Sequence, residues 1–166
     1  MKELVPIPLK IAALVLGSTA LYTYIGQLVP QKEVQPPVEI EVDPNATTED
    51  LVALGRTIAD GKGLCFTCHT VGQGAAAGLR FPDLEGIATR AETRIPGRTA
   101  LQYLAHSIYM PDEFIVEGFN PGMPAIHKPP IGLTDPEILA VLAYLQTLGG
   151  SPTVTLATTK GELGLE

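Results

Sequence analysis

The residues best suited to chemistry lie together at positions 65–69, in the sequence Cys-Phe-Thr-Cys-His. Two cysteines at this spacing can bond to the two vinyl groups on one edge of a porphyrin. The adjacent histidine can then offer an imidazole nitrogen to the iron. The motif therefore predicts covalent attachment of one haem c through Cys65 and Cys68, with His69 as an axial ligand of the iron.

The same cysteine pair has three other known uses, namely a structural zinc site, a thioredoxin-like dithiol and a disulfide. A zinc site needs two further Cys or His ligands at matching spacing, but His106 and His127 stand alone in the sequence. A thioredoxin-like pair belongs to a βαβ unit, and the sequence has no such pattern. The motif therefore favours haem over these three uses.

The second axial ligand is expected to be a methionine, the usual partner of histidine in electron-carrying centres of this kind. Met123 lies between prolines and a glycine, in a loop stiff enough to aim a thioether at the iron. Met110 ends an apolar helical run and is better explained as a core or rim residue. His106, His127 and an open sixth position remain alternatives to Met123.

Three helical patterns surround the motif and must position it. They run from about Thr48 to Ala59, from about Arg98 to Tyr109, and from a capping box at Thr134 to about Leu148. Gly55 lies on the apolar face of the first helix, which predicts close approach by another helix there. Alternation typical of strands is missing from the sequence. An all-α domain of this size has a small core of its own, which a covalently held haem would complete.

The composition excludes several classes of protein. A chain of 166 residues is expected to form one domain, and its 45% of apolar residues argue against intrinsic disorder. Two cysteines allow at most one disulfide. A net charge of −7 argues against nucleic acid as a partner, since phosphate binding favours basic surfaces.

The N-terminal region predicts a membrane anchor. Residues 11–29 carry no charged side chain, and together with residues 7–10 they can span a hydrocarbon core of about 30 Å. Lys2 and Lys10 precede the span and acidic residues follow it, which places the N-terminus in the cytoplasm and the rest of the chain on the periplasmic side. A signal peptide cleaved near Ala20 is the alternative, but the apolar run continues to Val29.

These features divide the chain into four parts: an anchor at 1–30, a Pro-rich acidic linker at 31–46, a haem domain at 47–150 and a polar tail at 151–166. The prolines of the linker favour a semi-rigid spacer, and a disordered tether is the alternative. The tail has no pattern of buried residues, so we expect it to be disordered unless a partner orders it.

Residues 47–150 resemble the class I monohaem cytochromes c. The resemblance covers the glycine-bearing helix before the motif, Cys65-x-x-Cys68-His69, the Met123 loop, and a last helix that carries Tyr144. It implies a small all-α fold, with three main helices around a covalent haem, behind one N-terminal transmembrane helix. It also implies that the carbonyl of Pro82 accepts the ring N–H of His69, that the protein carries single electrons, and that it is not an enzyme.

Two departures from the family pattern concern details around the haem. Ile58 stands where an aromatic residue often packs, and the chain has no tryptophan to bind a haem propionate. Six other side chains are candidate propionate partners: Arg80, Arg90, Arg94, Arg98, Tyr103 and Tyr109.

Residues 103–124 are similar to cytochrome domains of membrane oxidases and quinol-oxidising complexes. This similarity implies a subunit of a respiratory or photosynthetic assembly, such as the monohaem subunit of alternative complex III, with redox proteins or neighbouring subunits as partners and the lipid bilayer around residues 7–29. Phe66, Ala75–Ala77 and Ile126 are candidates for an apolar docking patch with an acidic rim. The functional alternative is a haem enzyme or gas sensor with an open sixth coordination site.

Overall fold

The structure is a computed structural model that describes residues 5–29, 40–73 and 80–165. It divides into two compact units, with the boundary between residues 38 and 39. The described residues contain five α-helices, one short 3₁₀-helix and no strand, which confirms the predicted all-α class. Residues 31–39 of the predicted linker and Ala75–Ala77 of the candidate docking patch lie outside the described residues.

The first unit contains one long helix, α1 (Ile7–Leu28). Its 22 residues correspond to a length of roughly 33 Å. Proline at its first turn suits a helix start, and none of its side chains is buried. By length and composition α1 can cross a membrane. A signal sequence has the same two properties.

The second unit is built on α2 (Thr48–Asp60), the 3₁₀-helix Cys65–Thr67, α3 (Ile87–Arg94), α4 (Ala100–Tyr109) and α5 (Asp135–Thr147). The helices α2, α4 and α5 confirm the three predicted helical patterns. Each begins with a reciprocal capping box at its threonine N-cap, which satisfies backbone N–H groups that have no partner within the helix.

Helices α2 and α5 make the most extensive helix–helix contact of this unit. A Cβ atom placed on Gly55 would lie 1.9 Å from the carbonyl oxygen of Ala140 and 3.0 Å from Cβ of Tyr144. Only a glycine lets the two backbones approach this closely. The predicted close approach at Gly55 is confirmed, and α5 is the helix that makes it.

Helix α3 was not predicted. It has eight residues, it starts after Gly86 in the left-handed conformation, and no side chain caps it. Its N-terminal half is held by the end of α5, because Ala88 N–H donates to Leu148 O at 3.0 Å and Thr89 Oγ1 donates to Gly149 O at 2.6 Å. Tertiary contacts rather than local sequence signals therefore fix this helix.

Residues 151–165 form what we call the C-terminal strap, and the expectation of a disordered tail is wrong. Val154 and Leu163 are buried, at 0% and 2% exposure. The Gln146 side chain holds the start of the strap, since its Oε1 accepts from Thr153 N–H at 2.9 Å. The strap therefore contributes to the core of the second unit.

The described end of the predicted linker is also part of this unit. Ile40, Val42 and Ala46 are partly buried against the core, and Asn45 N–H donates to Asp43 Oδ1 in a turn. Residues 40–46 therefore pack on the domain instead of extending as a free spacer.

Candidate cofactor site

A large cavity in the second unit gathers residues from the Cys-x-x-Cys-His segment, α3, α4, α5 and the segment between α4 and α5. Its empty volume is about 1000 Å³, counting the mouth that opens to solvent. Four of the five predicted site residues line it, namely Cys65, His69, Pro82 and Met123. The fifth, Cys68, is exposed beside them.

The two cysteines are presented by a tight turn. Leu64 adopts a left-handed conformation with φ of 55°, and the carbonyl of Cys65 accepts the backbone N–H groups of both Cys68 and His69, at 3.2 and 2.9 Å. Both cysteines are free thiols, so the structure does not contain the disulfide of the alternative interpretation. Burial raises the pKa of the half-buried Cys65 thiol.

The imidazole of His69 is oriented by the chain itself. Its Nδ1 lies 2.7 Å from the carbonyl oxygen of Pro82, the contact that the family resemblance implies. Because a carbonyl can only accept, Nδ1 carries a proton, and in the neutral ring Nε2 is then the nitrogen without one. This is the tautomer in which a histidine can ligate a metal through Nε2.

Asp83 fixes the loop around this contact, and sequence reasoning gave it no role. Its carboxylate accepts hydrogen bonds from Thr70 Oγ1 at 2.6 Å and from three backbone N–H groups, those of Gly72 at 3.1 Å, Gln73 at 2.9 Å and Glu85 at 2.7 Å. The bond from Thr70 and the backbone bonds hold the pKa of Asp83 well below its usual range, against the opposing effect of burial. A carboxylate that follows Phe81-Pro82 directly in the sequence was the available signal.

The structure also separates the candidates for the second axial ligand. Met123 is half-buried and lines the cavity, in a loop where Gly122 has φ of 148°. Met110, His106 and His127 do not line it, and Met110 is 40% exposed. Met123 is therefore the alternative that shares the cavity with His69.

The cavity lining is mainly apolar, with a few polar groups. Arg94 is the one lysine or arginine among its described lining residues, and Tyr103 is the other candidate propionate partner there. The remaining four candidates are engaged elsewhere: Arg80 over the Phe81 ring, Arg90 on the carbonyls of Asp83 and Glu85, Arg98 on Glu113, and Tyr109 on Asp135.

The donor set fits a covalently held haem. The Cys65 thiol, an imidazole in the metal-binding tautomer and the Met123 thioether line one apolar cavity, and the free thiol of Cys68 is exposed beside it. It does not fit zinc, because no group of three His, Cys, Asp or Glu side chains that could hold a metal ion occurs within residues 5–29, 40–73 and 80–165.

Comparison with known proteins gives one finding. The family model described as Cytochrome c matches residues 52–149, which is more than half of the chain. No curated protein matches the chain significantly. The matched region begins within α2 and ends just after α5, and it contains all five predicted site residues.

Proposed function

The chain belongs to the cytochrome c family, and we propose that it is a membrane-anchored carrier of single electrons between redox partners in a respiratory or photosynthetic chain. The observation that carries the proposal is the shared cavity of Cys65, His69 and Met123. The bond between His69 Nδ1 and Pro82 O supports it, because it leaves Nε2 free to ligate iron.

A bound haem c supplies an iron centre that gains and loses one electron. Cys65 and Cys68 would hold the group covalently, and the sequence has no further cysteine for a second attachment site. His69 and Met123 would ligate the iron. With both ligands in place, the chain would keep small molecules off the metal and would change little on electron transfer.

The alternative of an enzyme or gas sensor finds less support in this cavity. Acid–base chemistry at an open iron site needs a titratable group near it. Apart from His69, the described lining residues include no His, Asp or Glu. Besides Cys65 and His69, the polar side chains of the lining are Arg94, Tyr103, Ser107 and Asn120, which suit binding and orientation better than proton transfer.

For location, we propose that α1 crosses the cytoplasmic membrane once and leaves the haem domain on the periplasmic side. Three facts support this: the 22-residue length of α1, the lysines at positions 2 and 10, and the acidic residues after the span. The resemblance of residues 103–124 to domains of oxidase and quinol-oxidising complexes supports a place as a complex subunit, such as the monohaem subunit of alternative complex III.

The electron-carrier proposal is tested by a haem stain and a redox titration. The full chain in detergent should retain haem after denaturation, and a Cys65→Ser/Cys68→Ser double variant should not. The titration should fit one centre with a one-electron slope. Loss of the haem from the unaltered chain on denaturation would contradict covalent attachment.

The location has separate tests. Alkaline carbonate should leave the chain in the membrane fraction, whereas release into the wash would contradict the anchor. Gentle detergent extraction followed by sizing should give a particle much larger than one chain in a micelle. A particle of one chain would mean a free anchored carrier rather than a subunit.

A further inference from the structure

One buried histidine has no part in the site described above. His106 lies in the last turn of α4 and is 8% exposed. Its Nδ1 lies 2.5 Å from Oε2 of Glu113, and its Nε2 lies 2.7 Å from the carbonyl oxygen of Gly164 in the C-terminal strap. The ring therefore joins α4 to the segment that follows it and to the C-terminal strap, 58 residues further along the chain.

Both partners of this ring are hydrogen-bond acceptors. The carbonyl of Gly164 has no proton to give. The carboxylate of Glu113 is held ionised, because hydrogen bonds from Arg98 and His106 lower its pKa to about 2. A neutral imidazole has a single N–H, so it could satisfy only one of the two contacts. The negative end of the α4 dipole also favours a cation in this last turn.

We propose that His106 is a positioning residue whose doubly protonated ring fastens the C-terminal strap to the segment that closes the cofactor cavity. That segment, residues 110–119, follows α4 and contains Glu113. Five of its side chains line the cavity: Pro111, Phe114, Ile115, Val116 and Phe119. The inference rests on the proposed function, since this wall affects an iron centre only when haem occupies the cavity.

The contacts around Glu113 explain how the fastening reaches the wall. Arg98 binds the other carboxylate oxygen of Glu113 at 2.5 Å, so cations at both ends of α4 hold the segment. The next residue, Phe114, packs edge-to-face on Tyr103, with ring centroids 5.8 Å apart. Movement of Glu113 would therefore move an aromatic side chain of the cavity lining.

The other charged groups of the strap have partners of their own. Lys160 pairs with Asp135 at 2.6 Å and donates to Tyr109 Oη at 2.9 Å. The Glu162 carboxylate accepts from Thr159 N–H at 2.7 Å. The strap, α4 and Glu113 meet at His106. Among the described groups there, the imidazole is the side chain whose type exchanges a proton near neutral pH.

The direction in which pH affects the docking of the strap follows from the N–H groups of the His106 ring. At acid pH both nitrogens donate and the strap and Glu113 are both held. When the ring loses one proton at higher pH, one of its two nitrogens can no longer donate. That nitrogen then faces an oxygen that can only accept, so this hydrogen bond is lost. The strap should then open more often, and the changed cavity wall should give the reduction potential a pH-dependent step.

The protonation state is tested directly by ¹⁵N nuclear magnetic resonance of the histidine rings, on the reduced full chain in micelles. At about pH 6 both ring nitrogens of His106 should carry protons, and one proton should leave as the pH is raised. A single-proton ring at about pH 6, in a protein whose strap is still docked, would overturn the proposal. This reading does not depend on variants that fail to fold.

The positioning role is tested by carboxypeptidase trimming of the strap and by reduction potential, both measured between about pH 5 and about pH 8. In the unaltered chain, trimming should accelerate about tenfold or more as the pH rises, the factor expected for one charge-assisted hydrogen bond. His106→Gln and Glu113→Gln should trim rapidly at every pH and lose the step in potential.

His127→Gln is the control for the loss of an imidazole elsewhere, because His127 lies outside the cavity lining and its ring packs on Tyr109, with centroids 5.0 Å apart, rather than on Glu113 or Gly164. It should keep the pH-dependent step of the unaltered chain, and a trimming rate independent of pH in the unaltered chain would overturn the proposal. If haem absorbance is missing, the proposed function fails, while the ring protonation can still be read.

Discussion

Gly55→Ala tests the packing that places α2, and with it the haem-attachment segment, against α5. The added Cβ would lie 1.9 Å from Ala140 O and 2.4 Å from its carbonyl carbon. These are backbone atoms, so no side-chain rotation relieves the contact. The helices would have to move roughly 1.5 Å apart, the difference between 1.9 Å and ordinary contact at 3.4 Å.

Overpacking of this kind costs about 3 kcal/mol at the upper end of its usual range. The higher helix propensity of alanine recovers about 1 kcal/mol. The net loss in the free energy of unfolding should therefore be about 2 kcal/mol. With a urea m-value of about 2 kcal/mol/M, the midpoint of unfolding should fall by about 1 M.

The assay is urea unfolding of the full haem-loaded chain in detergent, followed by haem absorbance. Ala53→Gly is the matched control, because Ala53 is on the exposed side of the same helix and its replacement changes helix propensity alone. The control should lose about 1 kcal/mol. If Gly55→Ala raises the midpoint, as a glycine-to-alanine change does on an open helix surface, the reasoning about the crossing is refuted.

Three further predictions concern other contacts of the second unit. Lys62→Met should lower the free energy of unfolding by about 3 kcal/mol in the same urea assay, because the Glu137 carboxylate, which is 1% exposed, loses its ion pair. An unchanged midpoint would contradict this. Leu163→Ala should cost about 3 kcal/mol if the strap is part of the core, whereas a disordered strap would make it neutral. The lowered pKa of Asp83 contributes stability that is present above the ordinary carboxyl range and is lost as the pH falls below about 4. Asp83→Asn should therefore flatten the acid side of a plot of unfolding midpoint against pH, and an equally steep plot would show that Asp83 does not contribute.

The parts of this molecule that could be predicted from sequence are those with local signals. The haem-attachment residues lie within five positions, and the helices α2 and α5 combine capping boxes with an apolar stripe. Gly55 could be interpreted because a glycine inside a helix has a cost that close packing explains.

What could not be predicted depends on contacts between distant residues. Helix α3 is held by the carbonyls of Leu148 and Gly149, about 60 positions away in the chain. Val154 and Leu163 are buried, but they belong to no periodic pattern, because the described residues of the strap form neither a helix nor a strand. The His106 junction joins positions 7 and 58 residues apart, and isolated histidines carry no local signal for such a role.

The most direct test of the proposed electron carrier is its absorption spectrum, taken oxidised, reduced, and reduced under carbon monoxide, beside a Met123→Ala variant. Ligation by His69 and Met123 predicts a low-spin spectrum that carbon monoxide leaves unchanged, with a sulfur–iron band that disappears in the variant. Ready binding of carbon monoxide by the unaltered chain would contradict the closed site and favour an enzyme or sensor instead.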